Sequence, residues 1–351
     1  MNTKSLTRLS WSAFLLASAL AGSVGLTSAQ AADTYQLSQT FKVGGKGGWD
    51  YLIVDQEHKL LFVPRGAHLM VLNAQTGETV ADIAGMGMKH VHGVALVPSV
   101  GRGFVSDGDV GAVFIFDLKT YALLGSVKTA DDADGVIYDE ASNKVFCVSG
   151  DAGVAVSFSP DIDPTSGQAD KPIDLGGKPE YLVSDNQGHV YVNVTDKSVV
   201  AVIDTKSMTV TDRWSTAPGG EPVAMAIDRT NHRLVLGCRK PAKMVVMSTD
   251  DGKVLSTLTT GDGADASQVD GDLAFVSCRD GSLTVAKATG SKYKVVQKLK
   301  TNIWAGTMGV DTSTHTLYFP TGDFPAGADW KKRPDALPDS FKILVLTPSG
   351  E

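Results

Sequence analysis

Apolar stretches recur along this chain at a near-constant interval, each ending in Asp, or once in Pro, before a polar turn and a second β-rich stretch. The landmarks Asp55, Pro98, Asp139, Asp185, Asp228, Asp270 and Asp311 lie 43, 41, 46, 43, 42 and 41 residues apart. The first run of a repeat, such as Tyr51-Leu52-Ile53-Val54 or Pro222-Val223-Ala224-Met225-Ala226-Ile227, has few polar interruptions. That suits an inner strand covered on both faces. A turn rich in Asp, Asn, Gly and His leads to a second strand, as in Lys59 to Val63 or His189 to Val192. Ser198 to Asp204 represents the third strand, and Thr209 to Trp214 the outer one. Four strands joined by short turns make one blade, and a period near forty residues is the signature of a β-propeller.

The pattern therefore predicts an all-β, seven-bladed β-propeller of four-stranded antiparallel blades. Its last repeat, from Thr307 to Leu346, supplies only three strands. Tyr35 to Val43 has strand composition and no blade of its own, so it is expected to complete the last blade and close the ring. Closure of that kind shields strand edges that would otherwise invite aggregation.

Residues 1–31 read as a secretory signal. Lys4 and Arg8 precede an uncharged run from Leu9 to Ala29, and Ala29-Gln30-Ala31 offers the small residues a signal peptidase requires. Cleavage there leaves 320 residues from Ala32 as one propeller domain, and moves the formal net charge from −7 to −9 by removing Lys4 and Arg8. No other stretch is long and apolar enough to span a bilayer, and a closed ring of this size is expected to be a monomer. The acidic balance makes nucleic acid an unfavoured partner. Hydrophobic content of 42% suffices for a core spread between sheets.

Three cysteines without a C-x-x-C exclude covalent c-type haem and Cys-rich zinc sites. Cys238 and Cys278 occupy similar places in consecutive repeats, each followed by Arg. A disulfide across a blade boundary and a pair of free thiols both remain open. Cys147 reads as a buried strand residue.

In a four-stranded blade, the residues leading into the first strand share one face of the ring with the loops between second and third strands. Aligned repeats put Asp50, His92, Asp134, Glu180, Glu221, Asp265 and Trp304 at or near the lead-in positions. The loops add Arg65, Asp107, Asp109, Asp151, Arg239 and Arg279. Such a concentration of carboxylate, imidazole and guanidinium at the channel mouth suits a cation or a polar ligand. Asp residues at strand starts also cap amides and fix turns, so a structural role stands beside the binding one. His90 and His92, two apart, share one face of an extended segment and with Asp134 form a candidate divalent-metal set.

A long insertion, Asp323 to Ser340, lies between the second and third strands of the last repeat and carries Phe324, Trp330, Lys331, Lys332 and Arg333. On the mouth face it reads as a lid or a partner contact. A second long loop, Pro160 to Pro172, joins third and fourth strands on the opposite face. Its Asp161, Asp163 and Asp170 hint at calcium but lack the Gly and final Glu of an EF-hand. The chain has no G-x-S-x-G elbow, H-E-x-x-H helix, Walker loop or Rossmann fingerprint, so any catalysis falls to the mouth residues.

Gly47-Gly48-Trp49-Asp50-Tyr51, Val91-His92-Gly93-Val94-Ala95-Leu96, Gly176-Gly177-Lys178-Pro179-Glu180 and Thr307-Met308-Gly309-Val310-Asp311 together resemble the exported YncE-like branch of the YVTN β-propeller family. The resemblance spans essentially all of 32–351. It implies a seven-bladed propeller of the bacterial envelope, exported to the periplasm, and a binding or interaction role without an established reaction. More distant relatives include haem-carrying propellers of nitrite reductases and lactonases. Where relatives tend to carry an Arg-rich approach to the final blade, this chain reads Asn302-Ile303-Trp304-Ala305-Gly306-Thr307. If that Arg contacts an anionic ligand in relatives, the same ligand is not to be assumed for this chain.

The resulting expectation is a non-enzymatic envelope protein that recognises a small polar ligand, metal complex or partner protein at the mouth. The alternative is a metal-assisted hydrolase or lactonase that uses the mouth carboxylates, with His92 as proton carrier. A pure scaffold without a ligand at its mouth is a third reading. No cofactor is fixed by the sequence beyond a possible divalent metal.

Overall fold

Runs such as Leu61-Phe62-Val63, Val145-Phe146-Cys147-Val148 and Ala274-Phe275-Val276 are buried on both faces, because each strand lies in one sheet and between two others. The computed structural model describes Met1 and residues 33–350; but for Met1, the expected signal segment lies outside the described residues. Seven four-stranded antiparallel sheets follow one another in chain order. Blade 1 runs through Ile53–Asp55, Leu60–Arg65, His68–Asn73 and Thr79–Ala84. The inner and outer strands of the next five are Val91–Val97 and Leu123–Lys128, Ala133–Asp139 and Ile173–Asp174, Pro179–Ser184 and Thr209–Ser215, Pro222–Asp228 and Val254–Thr259, and Ala264–Asp270 and Lys292–Lys300.

Blade 7 combines Gly309–Asp311, Thr316–Thr321 and Lys342–Pro348 with Tyr35–Lys42 as its outer strand, the closure expected from the sequence. The register runs from Tyr35 opposite Pro348 to Lys42 opposite Lys342, with a bulge between Leu37 and Gln39. Tyr35 also packs edge-on against Phe275 of blade 6, ring centroids 5.2 Å apart. The Gln297 side chain accepts from Tyr35 N and donates to Tyr35 O, both at 2.8 Å, which ties the closing strand to its neighbour.

Among the described residues the core is divided into seven clusters, each between two adjacent blades. Phe104, Ile115, Val145 and Phe158 join blades 2 and 3, while Leu61, Leu72, Tyr318 and Ile343 join blades 7 and 1. A fully buried Phe adds roughly 2 kcal/mol by leaving water, so every blade boundary has its own adhesive. Cys238 and Cys278 are free, buried and in different clusters, which settles the open pairing in favour of thiols. The Pro160–Pro172 loop holds no calcium cradle: Asp163 accepts from Thr165 and Ser166 amides, and Asp170 binds Lys144 Nζ at 2.6 Å and Ser157. Among the described residues no helix is long and apolar enough to cross a membrane.

Candidate functional site

Five inner strands begin with a register shift, between Val91 and Val94, Ala133 and Val136, Pro179 and Leu182, Pro222 and Ala224, and Ala264 and Ala266. Such a bulge leaves a residue unpaired and re-aims its side chain. The residues within these bulges include His92, Asp134, Glu180, Val223 and Asp265. Asp50 precedes the short inner strand of blade 1 and, like Asp134, stands five residues before its landmark Asp. Asp50, His92, Asp134, Glu180 and Asp265 line one cavity of about 870 Å³ over the channel mouth, with Tyr51, His90, Arg279, Trp304 and Thr307.

The floor divides into two charge groups. His92 Nδ1 lies 2.7 Å from Asp50 Oδ2 and 3.9 Å from Asp134 Oδ1, so one ring nitrogen faces two carboxylates. Across the mouth, Asp265 Oδ1 accepts from Arg239 at 2.8 Å and Arg279 at 2.6 Å. Glu180 stands between them, 3.9 Å from Arg239. Two floor atoms are shut off from solvent without a hydrogen-bond partner, Asp134 Oδ1 and Arg279 Nε.

Burial dominates the protonation of this floor. It raises Asp134 well above the usual carboxylate range, with Glu180 adding to the effect. Burial likewise raises Glu180, against the pull of Arg239. At His92 burial alone would lower the pKa, but the Asp50 bond and the charges of Asp50 and Asp134 outweigh it and lift the imidazole to about 9. The Tyr51 phenol is pushed up by burial and by Asp134 and Glu180, so it stays neutral.

The insertion expected as a lid does roof the cavity, through Phe324 and residues 333–339. Its Trp330–Lys332 turn is capped by Asp329, whose side chain accepts from Lys331 N. Trp330 packs over Gly263, where a Cβ would come within 2.7 Å of the indole and where φ is +73°. A ladder of indoles holds the roof. Trp49 Nε1 donates to Trp304 O at 2.9 Å, and Trp304 Nε1 donates to Trp330 O at 3.2 Å. Trp49 also packs beside Phe324 and Phe341, and Arg279 lies 4.8 Å from the Trp304 ring centre. Of the expected lid residues, Arg333 faces the cavity, whereas Trp330 and Lys331 serve the roof from outside, the ammonium 5.5 Å over the indole.

Several expected mouth residues lie elsewhere. Arg65 is fully buried and binds loop 44–48 from behind, donating to Gly48 O at 3.0 Å and Lys46 O at 2.8 Å, with its guanidinium 3.5 Å over Phe341. Asp107 is also buried; it accepts from the Lys89, His90 and Val110 amides and so shapes the segment leading to His92. Glu221 stands just before its strand and pairs outward with Lys240 at 3.2 Å, while Val223 takes the bulge position. Arg239 backs the floor through Asp265 without lining the cavity. Asp151 pairs with exposed Lys178. His90 stacks beside His92 at 4.3 Å, but its nearest carboxylate is Asp109 at 3.9 Å, so Asp50 replaces it in the convergent set. Tyr51, Trp49 and Thr307 were not singled out by sequence reasoning. The blade-1 lead-in Gly48-Trp49-Asp50-Tyr51 is the signal that could have marked the first two.

No protein-family model matches the sequence, and no curated protein matches it. Solved structures do match in shape. Hydrazine synthase from Kuenenia stuttgartiensis has a TM-score of 0.69 at 12% identity, over 88% of this chain and 98% of that one. A structure of U3-55K gives 0.73 at 11%, over 88% and 98%, and the WD40 repeats of RRP9 give 0.74 at 11%, over 90% and 99%. The shared feature is the seven-bladed β-propeller. At these identities the likeness concerns the fold alone, and says nothing of ligand or reaction.

Proposed function

We propose that this chain is a non-enzymatic binding propeller of the bacterial envelope, from the YncE-like branch of the YVTN family, whose roofed mouth takes a small polar ligand. Propellers commonly serve as interaction scaffolds, and the reading adds a ligand to that role. The observation that carries it is the cavity itself: a floor of fixed charges beneath a roof of Trp, Phe and Pro. Bulges and ion pairs set the floor before any ligand arrives, so little ordering cost falls on binding. An apolar body against Phe324, Leu337 and Pro338 and a polar head on Asp50, Glu180 or Arg279 would use both surfaces.

The test is native mass spectrometry of the protein after incubation with the small-molecule fraction of a bacterial periplasmic extract. A discrete adduct that Arg279→Ala abolishes is the expected result. No adduct on the unaltered protein overturns the reading. The envelope location rests on the expected signal at 1–31 and is checked by cell fractionation, where a purely cytoplasmic protein would refute it.

A second reading, metal-assisted hydrolysis of an ester or lactone, is favoured by the convergence of Asp50, His92 and Asp134. In it the carboxylates hold the metal and His92 moves the proton. Turnover that a chelator stops would establish it, and an inert protein with tight ligand binding would dismiss it.

A further inference from the structure

We infer that Asp50, His92 and Asp134 form a three-ligand site for one divalent first-row transition ion, such as zinc or manganese, with its open positions facing the roofed cavity. The inference deepens the binding reading and rests on its choice of the mouth. It departs from the hydrolase reading in one respect, since His92 is spent as a ligand and cannot also carry the proton.

Three facts lead there. Each of the three side chains offers one ligand atom, and these atoms lie within 4.8 Å of one another. They come from three consecutive blades, at positions fixed by two inner-strand bulges and the 44–50 loop, so the set is built into the scaffold. Asp134 Oδ1 is closed to solvent and accepts no hydrogen bond, although Asp134 is otherwise surrounded by polar neighbours. A buried oxygen left that way costs free energy unless something meets it.

The spacing suits an ion. Two donors each about 2.1 Å from a common zinc ion stand at most about 4.2 Å apart. The observed 3.9 Å between His92 Nδ1 and Asp134 Oδ1 falls inside that limit. The shorter 2.7 Å between Nδ1 and Asp50 Oδ2 is a hydrogen bond, and has to widen as the ion takes the place of its proton. Asp50 has the freedom to do so, being the most exposed of the three at 27%. One imidazole and two carboxylates, without thiolate, match zinc and manganese chemistry, and two carboxylates balance a double charge. Gly108 leaves the room the ring needs: a Cβ there would lie 2.9 Å from His92 Nε2.

The test is titration of chelator-treated full-length protein with zinc and manganese chloride by calorimetry, backed by elemental analysis of protein purified without chelator. The expected result is one equivalent bound, with affinity lowered by about 100-fold or more in Asp50→Asn and in Asp134→Asn, since loss of a direct ligand exceeds the effect of an outer-sphere change. His232→Ala, whose imidazole pairs with Asp250 away from the mouth, binds as the unaltered protein does. The two Asn variants change one atom each, and unchanged melting without metal shows that they fold. No saturable binding overturns the site, as does binding that both Asn variants leave unchanged. Metal binding without any organic adduct supports the ion and removes the organic ligand. An adduct indifferent to chelator, with no metal bound, supports the ligand and overturns the ion.

Discussion

Arg65 illustrates how one side chain can hold a site without entering it. Its guanidinium satisfies the carbonyls of Lys46 and Gly48 behind the loop that presents Trp49 and Asp50, and it stacks on Phe341. Arg65→Ala should cost about 3 kcal/mol or more, because it leaves a void where a fully buried side chain stood and takes the donors from the Lys46 and Gly48 carbonyls. Arg65→Lys should recover little, since an ammonium lacks the planar fork. Denaturant midpoints of the two variants check both expectations. The thiols of Cys238 and Cys278, pushed up to about 12 chiefly by burial, should resist alkylation at pH 8 in the folded protein and react on unfolding. Rapid labelling of the native protein would contradict this. Arg65, Arg239 and Arg279 hold similar places at the ends of second strands, so the sequence grouped them together. Chain position does not reveal side-chain direction, and only blade 1 has loop 44–48 to draw its Arg inward.

Among the elements, the bulged lead-ins of the inner strands matter most for the mouth. Their period was legible: Asp50, Asp134, Glu180 and Asp265 each stand five residues before a landmark Asp, and all reach the floor. By the same count blade 5 offers Val223 and blade 7 offers Gly306, so Glu221 and Trp304 were matched too early in their repeats. Trp304 reaches the cavity by another route, as the rung between Trp49 and Trp330. Trp304→Ala should free the roof by removing both a hydrogen-bond donor and the ring beside Arg279. Limited proteolysis within 323–340 should then run faster while the melting temperature changes little, as expected when a loop and not a blade is loosened. Cleavage as slow as in the unaltered protein would argue that the roof stands without it.

At the scale of the whole ring, closure by Tyr35–Lys42 couples the blades. Deleting residues 33–42 removes buried Tyr35 and Phe41, each worth about 2 kcal/mol, and exposes the edge of Lys342–Pro348. The shortened protein should melt lower and aggregate, and an unaltered melting curve would contradict the proposed closure. Acid should also weaken the ring. Turn amides of Thr120, Thr165 and Ser207 hold Asp117, Asp163 and Asp204 below the usual carboxylate range, Asp163 at about 2. Folded values below unfolded ones mean that this stability is present above about pH 4 and lost as pH falls below it. A melting temperature that stayed level from pH 5 to pH 2 would refute it.

The pairing of Tyr35–Lys42 with Lys342–Pro348 also bears on the order of synthesis. A ribosome makes Tyr35–Lys42 long before Lys342–Pro348, so early blades can form while the ring stays open. The final seam must wait for the last strand to appear, and until then the first strand lacks its mate. Closure of this ring is therefore the last step in the pairing of its blades.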